Sequence, residues 1–424
     1  MADGSAARDD DGAGGAGFRR RVFYIPGYDP FHPRRYRELY RKEGAAQAAL
    51  SGYELRLLPR RGGTPQGWRV ESTVDGHRAL AAVEGLVWSD LVRGSMDQGI
   101  AQTYGQLGRT AWIYIASGAL FRLMRLRKGP VIAALYPVVV LLAQLGLALL
   151  AGWLAVRGLI WVMPGLADTG RGQLALLVVA GIVVGLVLHG FRRIDNRLMA
   201  HYLMHDFAYS AQGMGADPPD LSARIAAFGA RIRTALAEDW DEVLVVGHSS
   251  GAHIGVTLLA DLLRAGLPDG PRPALSFLTL GQVVPMVSFL PRADRLRADL
   301  ALMSAQPDVF WVDVTAPGDG CSFALCDPVA VSGVAPPDKR WPLVVSAAFT
   351  QTLRPETWKR LRRRFFRLHF QYLCAFDALP GRPWDYDYFR ITAGPRTLGD
   401  HFAGRPPSAS RIERPVNRHT SMAA

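Results

Sequence analysis

A chain of 424 residues is long enough for one large domain with an insertion, or for two or three domains of ordinary size. Its formal net charge of +12 suits either nucleic acid or an anionic membrane surface. No run of Lys or Arg interleaved with stacking aromatic residues resembles a known nucleic-acid module, which argues against a nucleic-acid partner. We therefore expect the positive charge to bind the anionic surface of a lipid bilayer.

The cysteines and the N-terminus indicate a reducing compartment. Cys321, Cys326 and Cys374 are too few for a disulfide framework, and we interpret them as reduced thiols. Residues 1–18 are rich in Ala, Gly and Asp and lack the apolar segment of a secretory signal. We expect a disordered N-terminal tail there.

The first elements along the chain alternate strand-like and helix-like patterns. Residues 20–30 are a short β-rich run that stops at Pro-Gly, and 34–49 suit a helix. Strands are expected at 53–59, 68–74 and 79–88. We assign residues 19–95 to the first part of a domain that an insertion interrupts.

Two long apolar runs follow. Residues 129–156 contain no Asp, Glu, Lys or Arg across 28 positions, and a second apolar run fills 172–190. Each is long enough for the roughly 20 residues that cross a bilayer. The sequence predicts transmembrane helices at about 131–156 and 172–190, within an insertion spanning 96–212.

Cations flank this pair on its outer sides. Seven precede the first run or follow the second: Arg122, Arg125, Arg127, Lys128, Arg192, Arg193 and Arg197. Only Arg157 and Arg171 lie near the turn between the runs. The positive-inside rule therefore predicts a two-pass membrane protein with both termini, and the domain on either side of the insertion, in the cytoplasm.

The chain after the insertion repeats a strand–helix alternation. A helix is expected at 219–238, a strand buried on both faces at 241–247, and a helix at 252–266. Strands are expected at 274–281 and 308–315, with a helix near 292–304. This alternation predicts an α/β fold with a mostly parallel central sheet. Residues 213–405 form its second part, and 406–424 are expected to be a C-terminal tail.

The strongest motif in the chain is Gly247-His248-Ser249-Ser250-Gly251, which fits Gly-x-Ser-x-Gly. It lies between a strand-like run and a helix-like run. A nucleophilic serine needs this setting, because a strained turn exposes its hydroxyl above the sheet while small residues two before and two after avoid collisions. In sequence and setting, the segment resembles the nucleophile elbow of the α/β-hydrolase superfamily, of the serine esterase and lipase type. The resemblance covers residues 20–60 and 215–405 in outline and is sharp only around Ser249.

The resemblance implies an oxyanion hole of two backbone N–H donors. One donor should be Ser250, the residue after the nucleophile. The other should lie in the loop after an early strand, where Tyr28 follows Pro26-Gly27. That family often has His-Gly at this place, so the chain departs from its pattern.

The resemblance also implies an acid and a base that follow Ser249 in that order. Asp319, just beyond the strand at 308–315, is the expected acid, and Asp313 and Asp327 are its alternatives. His369 is the expected base, and His401 is its alternative. His248 lies within the elbow and points elsewhere in that family's geometry.

These residues predict a membrane-anchored serine hydrolase that cleaves an apolar, lipid-like acyl ester through a Ser249-Asp319-His369 triad and an acyl-enzyme. Such a mechanism needs no metal and no organic cofactor. The alternative is a hydrolase-like membrane scaffold without turnover. The sequence does not distinguish an ester from a thioester or amide substrate, or hydrolysis from acyl transfer. It also does not give the acyl length or the oligomeric state.

Overall fold

The protein is built around one eight-stranded, mostly parallel sheet. The computed structural model describes residues 17–30, 34–59, 67–96 and 98–423. The strands lie in the order β2-β3-β4-β1-β5-β6-β7-β8, and only the β2–β3 and β3–β4 pairings are antiparallel. Their bounds are β1 Phe18–Ile25, β2 Glu54–Pro59, β3 Gly67–Val74, β4 His77–Gly85, β5 Glu242–His248, β6 Ala274–Leu280, β7 Val309–Thr315 and β8 Leu343–Ser346. The predicted α/β class and mostly parallel sheet are confirmed.

Helices surround the sheet and fill the long connection between β4 and β5. Those before β5 are α1 Arg34–Ser51, α2 Ser89–Met96, α3 Ile100–Ala116, α4 Ala119–Leu126, α5 Lys128–Val162, α6 Gly170–Arg193, α7 Asp195–Leu198, α8 Ala200–Ala211 and α9 Pro219–Leu236. Those after β5 are α10 Gly251–Arg264, α11 Pro285–Ser288, α12 Asp294–Ala305, α13 Pro328–Val331, α14 Phe349–Thr352, α15 Pro355–Leu361, α16 Phe365–His369, α17 Tyr388–Ala393 and α18 Leu398–His401. Short 3-10 turns lie at Pro164–Asp168 and Gln371–Leu373.

Strand β5 lies at the centre of the sheet because it is apolar on both faces. All seven of its residues are buried. Leu244 and Val246 pack into the apolar core on one side of the sheet, while Val243 and Val245 pack into the core on the other. This alternation follows from the two-residue period of a strand, and it places the chain after β5 at the carboxyl edge of the sheet.

The structure keeps some predicted boundaries and shifts others. The first strand ends at Ile25, directly before the Pro-Gly at which the run over 20–30 is predicted to stop, because Pro26 has no N–H to donate and the chain turns at Gly27. The strand predicted over 79–88 begins at His77 and ends at Gly85, and helix α2 follows at Ser89. Of the predicted N-terminal tail, residues 1–16 lie outside the described residues.

Helices α5 and α6 are both long and apolar enough to cross a membrane. Both extend beyond the predicted runs, since helical backbone continues into the polar residues at each end. Leu177, Leu186 and many other large apolar side chains on the pair are exposed. The two helices approach closely at Gly152, where an added Cβ would lie 3.1 Å from Val184 Cγ2 and 3.2 Å from the Ala180 carbonyl oxygen.

The N-terminal half of α5 packs on the rest of the protein. Tyr104 of α3 donates its hydroxyl hydrogen to the Leu141 carbonyl oxygen at 2.9 Å. The buried Leu141 side chain shares an apolar cluster with Met204 and Ala208 of α8. Thus α3, α5 and α8 join the long apolar helices to the sheet-bearing body.

The C-terminal residues 406–423 run across the surface near α13. The Asp327 N–H donates to the Ile412 carbonyl oxygen at 2.9 Å, and the Val416 N–H donates to the Val331 carbonyl oxygen at 3.1 Å. This segment, predicted as a tail, is therefore fastened to the loop after β7 and to α13.

Candidate active site

Ser249 occupies the sharp turn between β5 and α10. Its φ is +58°, a left-handed conformation that L residues rarely adopt, and its N–H donates to the Leu280 carbonyl oxygen at 2.9 Å. An added Cβ at Gly251 would collide with the Ile25 carbonyl oxygen, and one at Gly247 would lie 2.7 Å from the Gly251 carbonyl oxygen. The two glycines of the motif are therefore required by space, as the motif predicts.

Asp319 and His369 meet although different elements carry them. Asp319 follows β7 and His369 ends α16, and both side chains are buried. His369 Nδ1 lies 2.8 Å from Asp319 Oδ2. The other carboxylate oxygen accepts the Cys321 N–H at 2.9 Å. These contacts hold Asp319 in place although it lies outside the strands and helices.

Tyr372 is a third member of this group, and sequence reasoning missed it. Its hydroxyl donates to Asp319 Oδ2 at 3.0 Å and accepts the Ala316 N–H at 2.9 Å. Its position three residues after His369 is the available signal, because residues at that spacing share one side of a helical turn. Tyr372 thereby ties the carboxylate to the end of β7.

The surroundings of Asp319 favour its charged form. Burial by itself raises the pKa of the Asp319 carboxyl, but the proximity and hydrogen bond of His369, with the Cys321 N–H, outweigh it and hold that pKa below the usual value. Asp319 is therefore an anion at neutral pH, able to orient an imidazole and to stabilise its positive charge.

Gly27 brings the loop after β1 against the nucleophile. A Cβ added at Gly27 would lie 3.0 Å from Ser249 Cβ and 3.4 Å from Ser249 Oγ. The next residue, Tyr28, donates its N–H to the Ser250 hydroxyl oxygen at 2.8 Å. Both expected oxyanion donors, Tyr28 and Ser250, thus lie beside Ser249. The Tyr28 N–H reaches a substrate oxygen only when its bond to Ser250 is shared or released.

Ser249 and His369 line the same cavity, which has a volume of about 100 Å³. Part of its wall is polar, with Ser249, Ser250 and His369. Another part is apolar and comes from three places in the chain: Pro130 and Ala133 of α5, Leu203 and Phe207 of α8, and Val283 and Met286 after β6. The cavity therefore combines a candidate reaction centre with an apolar binding surface.

His248 is also among the residues that line this cavity. Its Nε2 lies 3.0 Å from the His369 carbonyl oxygen. Burial, reinforced by the nearby His369, lowers the pKa of His248 to about 3, so its ring is neutral and can donate that hydrogen bond. His248 thus connects the nucleophile turn to the backbone of His369.

Asp206 of α8 contributes a carboxyl group to the cavity. Burial raises the pKa of Asp206 to about 7, and the nearby His369 opposes that shift. Nothing in the sequence around Asp206 indicates this position, because the chain reaches it only after the two long apolar helices.

The alternative acids and the alternative base lie elsewhere. Asp313 is buried within β7, where its Oδ1 accepts the Thr279 hydroxyl hydrogen at 2.7 Å. Asp327 caps α13 and pairs with Lys339 at 2.7 Å. His401 Nε2 lies 3.1 Å from the Asp385 carbonyl oxygen. In the described residues these two aspartates bond other groups and not His369, and His401 does not line the cavity that holds Ser249.

Asp319, Cys321 and His369 present possible metal-ligand atoms within 4.8 Å of one another. However, His369 Nδ1 already bonds Asp319 Oδ2. Burial, with a smaller effect of Asp319, raises the pKa of the Cys321 thiol well above its usual value, so the thiolate that binds metals well is scarce at neutral pH. The chemistry of the group favours a hydrogen-bonded pair beside a neutral thiol.

Comparison of the chain with known protein families, curated proteins and solved structures finds no match. The case for function therefore depends on the geometry of the site.

Proposed function

We propose that the protein is a serine hydrolase that cleaves acyl esters through Ser249, His369 and Asp319, on a fold of the α/β-hydrolase type. One observation carries the proposal: a serine held at φ +58° between a strand and a helix lines the same cavity as a histidine bonded to a buried carboxylate. Strain at such a position points to function, because a non-glycine residue stays there only when its surroundings require it.

In the first half of the reaction, Ser249 Oγ attacks the acyl carbonyl carbon while His369 Nε2 accepts the hydroxyl proton. Asp319 keeps the other ring nitrogen protonated and stabilises the imidazolium. The tetrahedral oxyanion is stabilised by the Ser250 N–H and, once freed from the Ser250 hydroxyl, by the Tyr28 N–H. His369 then gives the proton to the departing alkoxide, the ester C–O bond breaks, and an alcohol leaves.

In the second half, a water molecule attacks the acyl-enzyme. His369 accepts a proton from this water, and the carboxylic acid departs as Ser249 Oγ recovers its proton. Each proton that His369 takes is returned, so the cycle consumes one water and one ester. Neither half requires a metal or an organic cofactor.

We propose further that α5 and α6 form a transmembrane hairpin inserted between β4 and β5. The exposed apolar side chains on both helices support this, since water is a poor solvent for so large an apolar surface. The excess of cations at the outer ends supports, by the positive-inside rule, an orientation with both termini and the site in the cytoplasm. A cysteine introduced at Gly165, between the helices, should react with an impermeant maleimide added outside intact cells, and one introduced at Asp338 should react only after lysis.

The test of the catalytic proposal is labelling of isolated membranes with a fluorescent ethyl fluorophosphonate. This reagent phosphonylates an activated serine with loss of fluoride. We expect the wild type and a Ser222→Ala control, changed on α9 away from the cavity, to be labelled, and Ser249→Ala to be unlabelled. If the folded wild type stays unlabelled, Ser249 is not activated and the membrane-scaffold alternative takes precedence.

A further inference from the structure

A second, smaller pocket adjoins the catalytic cavity. The residues that line this side pocket include Asp206, Tyr209, Asp217, Ser250 and His253. Asp206 and Ser250 line the catalytic cavity as well, so the two spaces lie on either side of the same side chains. The side pocket therefore reaches the residue directly after the nucleophile.

Two buried polar groups of the side pocket have no hydrogen-bond partner among the described residues, namely His253 Nδ1 and the Tyr209 hydroxyl. Burial lowers the pKa of His253 to about 4, so its ring is neutral and has one donor and one acceptor nitrogen. The Tyr209 ring packs against the rings of Tyr28 and Trp88, at centroid distances of 5.8 and 5.9 Å, and these contacts fix the position of its hydroxyl. Buried polar groups are ordinarily bonded either to protein or to ordered water. These two groups therefore indicate a bound water.

Two carboxyl groups add to the polar wall of the side pocket. Burial raises the pKa of Asp206 to about 7 and that of Asp217 to about 6, and the nearby Arg295 opposes the second shift. Each carboxyl group can accept a hydrogen bond whether it is protonated or charged. With His253 and Tyr209, they offer enough polar groups for the roughly two to four hydrogen bonds that a buried water makes.

The side pocket has room for water but not for an ester. Its volume is about 20 Å³, and roughly 10–15 Å³ is enough for one water molecule. The catalytic cavity, at about 100 Å³, is the larger space and the one that Ser249 lines. Size and polarity together favour water as the ligand of the side pocket.

The acyl-enzyme needs a water that reaches Ser249 while the acyl group is still in the catalytic cavity. The apolar wall of that cavity, which includes Pro130 and Phe207, offers a water no side-chain hydrogen bond. Ser250, in contrast, is shared with the side pocket, and its hydroxyl accepts the Tyr28 N–H at 2.8 Å. A rotation of the Ser250 side chain that frees this N–H for the oxyanion also moves the wall between the two spaces.

We infer that the side pocket binds a water molecule through His253 and Tyr209 and supplies it to the acyl-enzyme in the second half of the reaction. This inference rests on the proposed hydrolase function and deepens it by assigning the source of the hydrolytic water. The water passes Ser250, attacks the acyl carbonyl carbon and gives a proton to His369, and the ester bond to Ser249 Oγ breaks. His253 and Tyr209 are positioning residues, because they hold the water and transfer no proton.

The first experiment measures how the acyl-enzyme partitions between water and an alcohol that is too large for the side pocket. The purified full-length protein is given 4-nitrophenyl butyrate and 1-butanol, so that water yields butyrate and 1-butanol yields butyl butyrate. Both products come from one acyl-enzyme, and their ratio does not depend on the rate of acylation. We expect the double variant His253→Phe, Tyr209→Phe to raise the ratio of butyl butyrate to butyrate by about fivefold or more, the effect of losing one ordinary hydrogen bond.

Tyr24→Phe is the matched control. The Tyr24 hydroxyl is also buried without a partner among the described residues, but Tyr24 lines neither the catalytic cavity nor the side pocket. Its loss should leave the product ratio within about twofold of the wild type. Since neither variant removes a hydrogen bond between described residues, both should unfold at nearly the wild-type temperature.

The second experiment detects the water without catalysis. An X-ray pulse generates hydroxyl radicals from bound water, and these oxidise the side chains that contact it even where bulk solvent does not reach. In Ser249→Ala, we expect His253 to be oxidised at least fivefold faster than His401. The two histidines are similarly buried, at 8% and 6% exposed, but His401 lines neither space. Tyr209→Phe should slow the oxidation of His253.

The outcomes separate the two proposals. If 4-nitrophenyl butyrate gives no turnover that depends on Ser249 but His253 is oxidised, the hydrolase proposal fails and only the water site stands. If the wild type turns over and the double variant keeps the wild-type product ratio, water reaches the acyl-enzyme by another path, and the supply role is wrong while the hydrolase proposal stands. Oxidation of His253 no faster than that of His401 would show that the side pocket binds no water.

Discussion

Asp319 and His369 lie fifty residues apart in the chain and meet in a buried hydrogen bond of 2.8 Å. Because a carboxylate can only accept, this contact requires the proton of the neutral imidazole to be on Nδ1. The Nε2 lone pair is then available to take the proton of Ser249. The pair therefore selects the ring tautomer that a serine nucleophile needs.

Replacing Asp319 with Asn should remove the preference of the His369 ring for the tautomer protonated on Nδ1. An amide can donate to Nδ1 and so stabilise the wrong tautomer, for which losses of about 10⁴-fold in rate are typical of a catalytic triad. We expect the fluorophosphonate labelling rate at pH 7.5 to fall by that order. Asp338→Asn, at an exposed carboxylate, serves as the control. Labelling of Asp319→Asn within a few-fold of the wild type would remove Asp319 from the proposed triad.

Tyr372→Phe tests the hydroxyl that joins Asp319 to the backbone. The substitution leaves the Ala316 N–H without its acceptor, and Ala316 is fully buried. An unsatisfied buried donor costs about 1–3 kcal/mol, so we expect a lower midpoint in thermal unfolding. Asp319 keeps its bond to His369, and labelling should slow by only about tenfold. A loss as large as that of Asp319→Asn would show that Tyr372 has a direct role in the chemistry.

Gly281 has no side chain, and the rings of His369 and Tyr372 occupy the space beside it. It has a φ of +54°, and an added Cβ would lie 2.6 Å from Tyr372 Cε2 and 3.0 Å from His369 Cε1. Gly281→Ala should therefore displace both rings and lower the labelling rate by at least tenfold. Gly270→Ala is a matched control, because Gly270 also has a positive φ, of +86°, with nothing near its added Cβ. Equal losses in the two variants would mean that backbone strain, not ring displacement, causes the effect.

Some residues of this site can be predicted from the sequence and others cannot, depending on whether a local pattern marks them. Ser249 is marked by a local pattern, since the turn, its glycines and the flanking strand and helix are contiguous. Asp319 and His369 are selected only through the order that the resemblance implies, and their contact depends on how β7 and α16 pack. Asp206 has no local signal at all, because the path of the chain through α5 and α6 brings it to the cavity. The sheet was predictable for the same reason as Ser249: strand and helix patterns are local.

Asp206→Asn should change the pH dependence of labelling. With its pKa raised to about 7 by burial, Asp206 is neutral in acid and charged in base. The charged form stabilises the imidazolium that develops on His369 during attack, so the wild type gains rate as pH rises through 7 and the variant lacks this gain. We expect similar rates at pH 5.5 and a variant about threefold to tenfold slower at pH 8.5.

The ratio of the two rates isolates Asp206, because both proteins keep the other titratable groups of the cavity, namely Asp29, Cys321, His248, His369 and the tyrosines at 28, 36 and 202. A ratio that does not change between pH 5.5 and 8.5 would contradict the assigned role.

Asp313 offers a test that concerns stability. Burial raises the pKa of Asp313 to about 8, and among the described residues its Oδ2 has no hydrogen-bond partner. A carboxyl group whose pKa is higher in the folded state binds more protons there than in the unfolded chain between about pH 4 and pH 8. Its contribution to the free energy of unfolding is therefore complete below pH 4 and declines as the pH rises to 8.

Asp313→Asn removes that decline, because the amide has nearly the same shape and does not titrate. We expect the stability of the variant relative to the wild type to increase by about 1 kcal/mol per pH unit between pH 5 and pH 7.5. Chemical unfolding of both proteins in the same detergent, at several pH values, measures the difference. Asp338→Asn should show no such trend, since its carboxylate is exposed. A difference between Asp313→Asn and the wild type that is independent of pH would mean that Asp313 ionises alike in the folded and unfolded chains.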